Sequence, residues 1–468
     1  MMRMLHSFFA LAWAVGPARA MTYTQEKVNN KTCDVVAWTD AGGKARSVAL
    51  VRADGDVHGF NGGYIERYTY FVGDTQHTGV SWNQAQEGVS GLGCAINHHD
   101  NTAASSKKLT NAKSEFLLKG ENHCLWRFKG DSPAKGKTIG ITLDYFISEG
   151  KNEILWASSY DSSALKDGEA TWDARGPYVQ FDWDGDGHFY DGKISGIRWG
   201  DKFKFKTVNY VFGHPEQNTW DYSQPNTIPY MLLWKDAALG DVELGVVQTQ
   251  PWEIQDAGGY WWAKNWEKTG TGMPENWNCP FQLNAYEKYS SEKMAWGANY
   301  GYVGSSKYDV LGYKRKASGY PHQGYAVLIV LGRTGDAGTD KAIASMEAVQ
   351  KTKLSASLGT IVLKGPQHAD LSGDAEYKPA GWNHVHGTWA VSAAENGAAF
   401  TIAVSTGALS RPTFEIQNYS AKALGVKLNG TVLAAGKDFA ASVDEKGRKV
   451  YVTLLKNVSG DKNEVEIK

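Results

Sequence analysis

Short runs that alternate apolar with polar residues, or are rich in β-branched ones, recur at 34–38, 68–72, 114–118, 138–147, 154–160, 203–208, 242–249, 325–331 and 360–364. Clusters of Gly, Asn, Asp and Ser bound them. A period of two sends successive side chains to opposite faces of a sheet, so this rhythm predicts antiparallel strands joined by turns. A helical period stands out over 339–351, where Ala342, Ile343, Met346 and Val349 form one stripe behind a cap at Thr339 or Asp340. One short helix among many strands means packed sheets. The expected fold class is therefore all-β: a large antiparallel β-sandwich over 21–390 and a small immunoglobulin-like β-sandwich over 391–468. In the second, TFEIQNYS, VKLNGTVL, KDFAASVD, KVYVTLL and EVEIK read as strands, with turns at Asn429-Gly430 and Lys446-Gly447. No fixed-period repeat suggests a propeller or β-helix.

Composition sharpens that division. Nine of the 18 tryptophans fall between Trp199 and Trp296, whereas neither tryptophan nor histidine follows Trp389. The terminal module thus reads as an accessory unit. Residues 1–20 look like a secretory leader, with Arg3, an apolar run and the ending Ala18-Arg19-Ala20, so the expected location is periplasmic or secreted. No apolar stretch reaches the roughly 20 residues that span a bilayer. Four cysteines, Cys33, Cys94, Cys124 and Cys279, permit two disulfides, of which Cys94–Cys124 is the favoured one. Their wide spacing argues against zinc or CxxC redox chemistry. The net charge of −1 offers no general attraction for nucleic acid or anionic membranes, though a local basic groove can still bind an acidic polysaccharide.

The most distinctive chemistry lies in WDARGPYVQFDWDGDGHFYDG at 172–192. Asp182, Asp184 and Asp186 alternate ahead of Gly187, and carboxylates crowded this closely repel unless a hard cation sits among them. A Ca²⁺ loop is expected, closed by Asp191, because Lys193 stands where an EF-hand would carry glutamate. A solvated Asp-Gly turn is the alternative. Candidate acids and bases cluster nearby: His98 and His99 in NHHD beside Cys94, Arg175 and Tyr178 in RGPY, His214, and Tyr222. Trp220, Trp252, Trp261, Trp262 and Trp266 are the candidate sugar-stacking rings, since consecutive Trp261 and Trp262 cannot both face inward from one strand. His322 borders that region. In 382–386, WNHVH, a strand would put Trp382, His384 and His386 on one face. Those imidazoles could share a metal, with His368 as third ligand, or supply a base. Histidines hydrogen-bonded against the terminal module fit the pattern equally well.

The strand rhythm and aromatic placement over about 45–385, followed by a small sandwich, resemble the galactose-mutarotase-like supersandwich proteins, which include polysaccharide lyases. The resemblance implies a polysaccharide or oligosaccharide partner on a broad concave sheet and carries no catalytic residue over. Three functions then compete. A lyase acting on a uronic-acid polymer would use Arg175 or Asn97 against the carboxylate, His98, His99 or His214 as base, and Tyr178 or Tyr222 as donor. A glycoside hydrolase would need paired carboxyls from among Glu66, Asp221, Glu253 and Glu267. A glycan-binding protein would need neither. The lyase is favoured, because His, Tyr, Arg and Asn concentrate in the candidate loops more clearly than paired acids do.

Overall fold

The computed structural model describes residues 20–54, 62–81, 109–169, 228, 242–250, 321–333, 337–369, 374–420 and 424–468, together with isolated backbone strands between them. Nearly all its regular structure is β. A nine-stranded first sheet begins as a meander, Thr22–Val28, Lys31–Thr39, Ala45–Val51, Ile65–Val72 and Thr75–Ser81, and continues through Tyr178–Asp182, Met294–Ala298 and Phe281–Ala285. A second nine-stranded sheet has at its centre Val242–Gln248, His322–Arg333, Glu153–Asp161, Lys137–Ser148 and His123–Ala134, with Thr110–Lys119 at one edge.

Aromatic residues weld the two sheets face to face. Tyr64, Tyr68 and Tyr70 on one side and Trp126, Tyr145, Trp156 and Tyr160 on the other are each less than 2 % exposed. Rings of this size each remove about 150–250 Å² from water. Several of their polar tips find partners: Trp126 Nε1 donates to Asp34 Oδ2 at 2.9 Å, Tyr145 OH to Gly63 O at 2.8 Å and Tyr68 OH to Asn152 O at 3.2 Å. Within the described residues, then, large rings fill the interior.

Beyond this sandwich, a five-stranded sheet built on Ala398–Leu409 and Val458–Ile467 packs against a six-stranded one built on Thr388–Ser392, Thr413–Gln417 and Lys449–Leu454. These sheets also recruit Thr352–Leu358 and Thr360–Ile361, upstream of residue 390. Their apolar interior is continuous with the outer face of the second sheet, through Leu155, Leu328, Val247, Trp382, Trp389 and the helix. That helix, Thr339–Val349, buries Ala342, Ile343, Met346 and Val349 as the periodicity predicts. Its N-cap is Gly338 in a left-handed conformation, without a side-chain cap from Thr339 or Asp340.

Two sequence expectations are corrected. Cys124 is a fully buried free thiol, as is Cys33, so the Cys94–Cys124 bridge is not formed. Cys94 ends a strand hydrogen-bonded into the first sheet, whereas Cys124 lies in the second. Burial pushes the Cys33 thiol up to about 12 and the Cys124 thiol also upward, which keeps both protonated and unreactive. Glu66, one of the acids considered for hydrolysis, is fully buried and held by Lys31 Nζ at 2.9 Å and Asn29 Nδ2 at 2.9 Å. It braces the fold and faces no solvent.

Candidate functional site

Antiparallel register arranges the outer face of the second sheet in rows. Leu125, Phe146, Leu155 and Leu328 lie side by side and are covered by the terminal module. In the next row Arg127 stands directly opposite Asp144, followed by Ala157 and Ala326. Beyond it come Lys129, Thr142, Ser159 and Gly324, then Gly140, Asp161 and His322. The face thus changes from apolar to polar where the terminal module ends.

Asp144 is the hub of this seam. Its carboxylate is fully buried and takes both arms of Arg127, Nε to Oδ1 and Nη2 to Oδ2 at 2.7 Å each. His386 Nε2 lies 3.2 Å from the same Oδ2. Burial alone would raise the acid's pKa, but the bonds from Arg127 and His386 outweigh it and hold Asp144 below its ordinary value. With Nε2 hydrogen-bonded to a carboxylate, the neutral imidazole carries its proton there and its lone pair on Nδ1. Phe146 stacks on that ring, with centroids 6.1 Å apart and planes at 20°. Arg127 and His386 remain 12 % and 16 % exposed, so the guanidinium and the imidazole meet solvent while the anion does not. Lys129 adds another cation on this face, its pKa lowered by burial and then by neighbouring Arg127. Across the seam, Glu415 accepts from Lys449 Nζ at 2.6 Å; burial opposes its ionisation, yet Lys449 wins and the acid stays below its usual range.

The segment 382–386 departs from the expected strand. Only Trp382–Asn383 pairs in a sheet, and the following residues turn back to Thr388. His384 Nε2 therefore meets Gln367 O at 3.0 Å while His386 meets Asp144. Among the described residues no three His, Cys, Asp or Glu side chains come together in metal-binding geometry, so the shared site of His384, His386 and His368 does not form. The placement against the terminal module matches the alternative given for these rings. Burial lowers His368 and His384 to about 4. It also takes His123 down to about 3, a fully buried ring held by Ser442 Oγ at 3.2 Å and Thr453 Oγ1 at 2.8 Å.

Most of the residues singled out by sequence lie outside the described residues: His98, Arg175, His214 and Tyr222, the tryptophans 220, 252, 261, 262 and 266, and Asp184, Asp186 and Asp191. Three have their backbone placed. Tyr178 and Asp182 begin and end a first-sheet strand, pairing with Cys94 and Val80, and His99 pairs with Ala104 in a two-stranded ribbon. Sequence reasoning did not single out Arg127, Lys129 or Asp144. A signal was present: Asp144 interrupts an otherwise apolar run, and Arg127 and Lys129 keep period two with Leu125.

A small cavity of about 70 Å³ opens beside the helix, lined by Trp382, Trp389 and Met346 with Arg411 and Lys341 at its margin. A volume of this size has room for a few waters and is too small for a polysaccharide.

No family model matches the chain, and no curated protein does. A xanthan lyase from Paenibacillus is similar at 10 % identity and a TM-score of 0.30, over 97 % of this chain and 38 % of that one. The N-terminal domain of a Streptococcus gordonii adhesin is similar at 9 % identity and a TM-score of 0.15, over 96 % of this chain and 90 % of that one. The chain thus spans 38 % of the lyase's length. Likeness at these scores carries no functional weight. Among the described residues no helix is long and apolar enough to cross a membrane.

Proposed function

We propose that this is an exported, galactose-mutarotase-like polysaccharide lyase that cleaves a uronic-acid-containing glycan by β-elimination. The observation that carries the reading is one buried carboxylate, Asp144, holding a guanidinium and an imidazole together at a solvent-facing seam. Elimination needs such groups. A cation must neutralise the uronate carboxylate so that the adjacent C–H becomes acidic, and a base must remove that proton. Arg127 and Lys129 supply positive charge, and Nδ1 of His386 is the base, oriented from behind by Asp144. The C–H and C–O bonds break, a C=C bond forms, and the proton passes from His386 to the departing oxygen. Hydrolysis by paired carboxyls is less favoured here, because Asp144 and Glu415 are both buried and already bound to cations.

The test is incubation of the full chain with pectin, alginate, hyaluronan, chondroitin and ulvan, following the ultraviolet absorbance of an unsaturated product. His386→Asn is expected to lower kcat by about 10²–10⁴ in a chain that still melts in one cooperative transition. Reducing ends without absorbance would replace elimination by hydrolysis, and retention on a polysaccharide without cleavage would leave a binding protein. The proposal includes a Ca²⁺ held by Asp182, Asp184, Asp186 and Asp191. Chelator should lower the melting temperature of the native chain and leave that of Asp184→Ala unchanged, whereas a native curve indifferent to chelator would dismiss the ion.

A further inference from the structure

Glu66, too deeply buried to serve in hydrolysis, belongs to a group of three residues at the start of the first sheet. Its carboxylate lies between two nitrogens, with Lys31 Nζ 2.9 Å from Oε2 and Asn29 Nδ2 2.9 Å from Oε1. Lys31 and Glu66 are 1 % and 0 % exposed, whereas Asn29 reaches the surface. Asn29 and Asn30 take positive φ, 48° and 65°, in the two-residue turn that joins Thr22–Val28 to Lys31–Thr39 and sets Val28 opposite Lys31. Glu66 is the extra residue of a bulge, between Ile65 opposite Leu50 and Arg67 opposite Ala49, and the bulge aims its side chain at that turn. The surroundings are apolar. Val28, Cys33, Val51 and Tyr64 form one buried cluster, and Lys31 Nζ lies 5.2 Å from the centre of the Tyr64 ring.

Lysine is rarely buried this completely, and an ion pair at such depth is often no more stabilising than apolar side chains of the same volume. What the pairing adds is reactivity. Moving one proton along the hydrogen bond from Nζ to Oε2 leaves an amine and a carboxylic acid, with no separated charges in the apolar site. The amine is a nucleophile. The acid is a donor, and the Asn29 amide can turn its oxygen towards it, which polarises the carbonyl carbon Cγ. Nucleophile and electrophile are thus held on one carboxyl group, and holding reactants together removes most of the entropic barrier to their meeting.

We infer that Lys31 and Asn29 join in an intramolecular isopeptide bond, with Glu66 as the proton carrier. Lys31 Nζ attacks Asn29 Cγ, the Cγ–Nδ2 bond breaks, and Nδ2 departs as ammonia. Of the two protons that the ammonium group sheds, one completes the ammonia and the other stays on Glu66. No oxidant or co-reactant is needed. The product replaces a buried ion pair by a neutral amide and a neutral acid, and the ammonia escapes through the exposed side of Asn29. The bond would pin the turn that fastens Thr22–Val28, the edge strand of the first sheet, to its neighbour. It is independent of any glycan chemistry elsewhere in the chain.

Trypsin cuts after lysine, here after Lys27, Lys31 and Lys44. Mass spectrometry of the full chain, denatured and digested, should therefore show a peptide 28–44 that is uncut at Lys31 and lighter by one ammonia, about 17 Da. Asn29→Ala, a change at an exposed position, and Glu66→Gln should each restore cutting and release 28–31 and 32–44 without that loss. The inference is overturned if the native chain yields 28–31 with Asn29 unchanged. It is equally overturned by a loss of ammonia that leaves Lys31 open to trypsin, the mark of a succinimide made by the backbone. A gain of about 1 Da at Asn29 would also sink it, because water would then have taken the place of Nζ. Persistence of the bond in Glu66→Gln would remove the acid from its role.

Discussion

Glu149 sits where the two large sheets meet, with Oε1 accepting the Thr39 N–H at 2.9 Å and Oε2 buried without a partner. Burial, reinforced by neighbouring Asp40, pushes its pKa from 4.5 up to about 7. The folded chain therefore holds a proton that the unfolded chain releases, and the resulting stabilisation, complete below pH 4.5, is lost as pH rises through 7. Glutamine at this position is neutral throughout. Glu149→Gln should match the native protein near pH 5 and exceed it at pH 8 by about 1–3 kcal/mol. Melting curves at the two pH values check this, and an equal difference at both would refute it. Residues of this kind were only partly legible in sequence. A charge in an apolar strand marks a buried partner, as with Asp144, but the partner's identity depends on cross-strand register and on a loop arriving from residue 386.

At the scale of elements the sequence was far more explicit. Period two located Lys31–Thr39, Lys137–Ser148, Glu153–Asp161 and His322–Arg333, and the Ala342, Ile343, Met346, Val349 stripe located the helix. Alternation reports burial on one face, and these elements are buried that way. It failed at 382–386, where two histidines at alternate positions look like a strand but occupy a turn whose shape is set by contacts with Gln367 and Asp144. The Asn429-Gly430 turn shows local chemistry deciding alone. Both residues take positive φ, 53° and 76°, and a Cβ on Gly430 would touch nothing within 4 Å. Gly430→Val should therefore cost about 1–2 kcal/mol purely through backbone strain. Urea unfolding measures it, and an unchanged midpoint would show the turn adapting freely.

The whole molecule concentrates neutral histidines at one junction. His123 bridges to Ser442 and Thr453 of the terminal sheets, while His368 and His384 are buried beside the second sheet, all depressed by burial to about 3–4 from 6.5. Burial keeps His123 uncharged, with one ring nitrogen donating to one hydroxyl and the other accepting from its neighbour. Unfolding frees all three rings to take up protons. Between pH 6.5 and 4.5 three protons favour the unfolded chain, and the one on Glu149 opposes them, a net of two among these groups. Stability is then full above pH 6.5 apart from the Glu149 term, and falls by about 3 kcal/mol for each pH unit of acidification. Below 4.5 the lowered Asp144 and Glu415 steepen the loss. Because the core runs unbroken from the second sheet into the terminal sandwich, this loss should appear as one cooperative transition. His123→Gln keeps a donor and an acceptor but cannot titrate, so it should roughly halve the fall between pH 6 and 5. Calorimetry across that interval decides: an equally steep variant would place the acid sensitivity elsewhere in the chain.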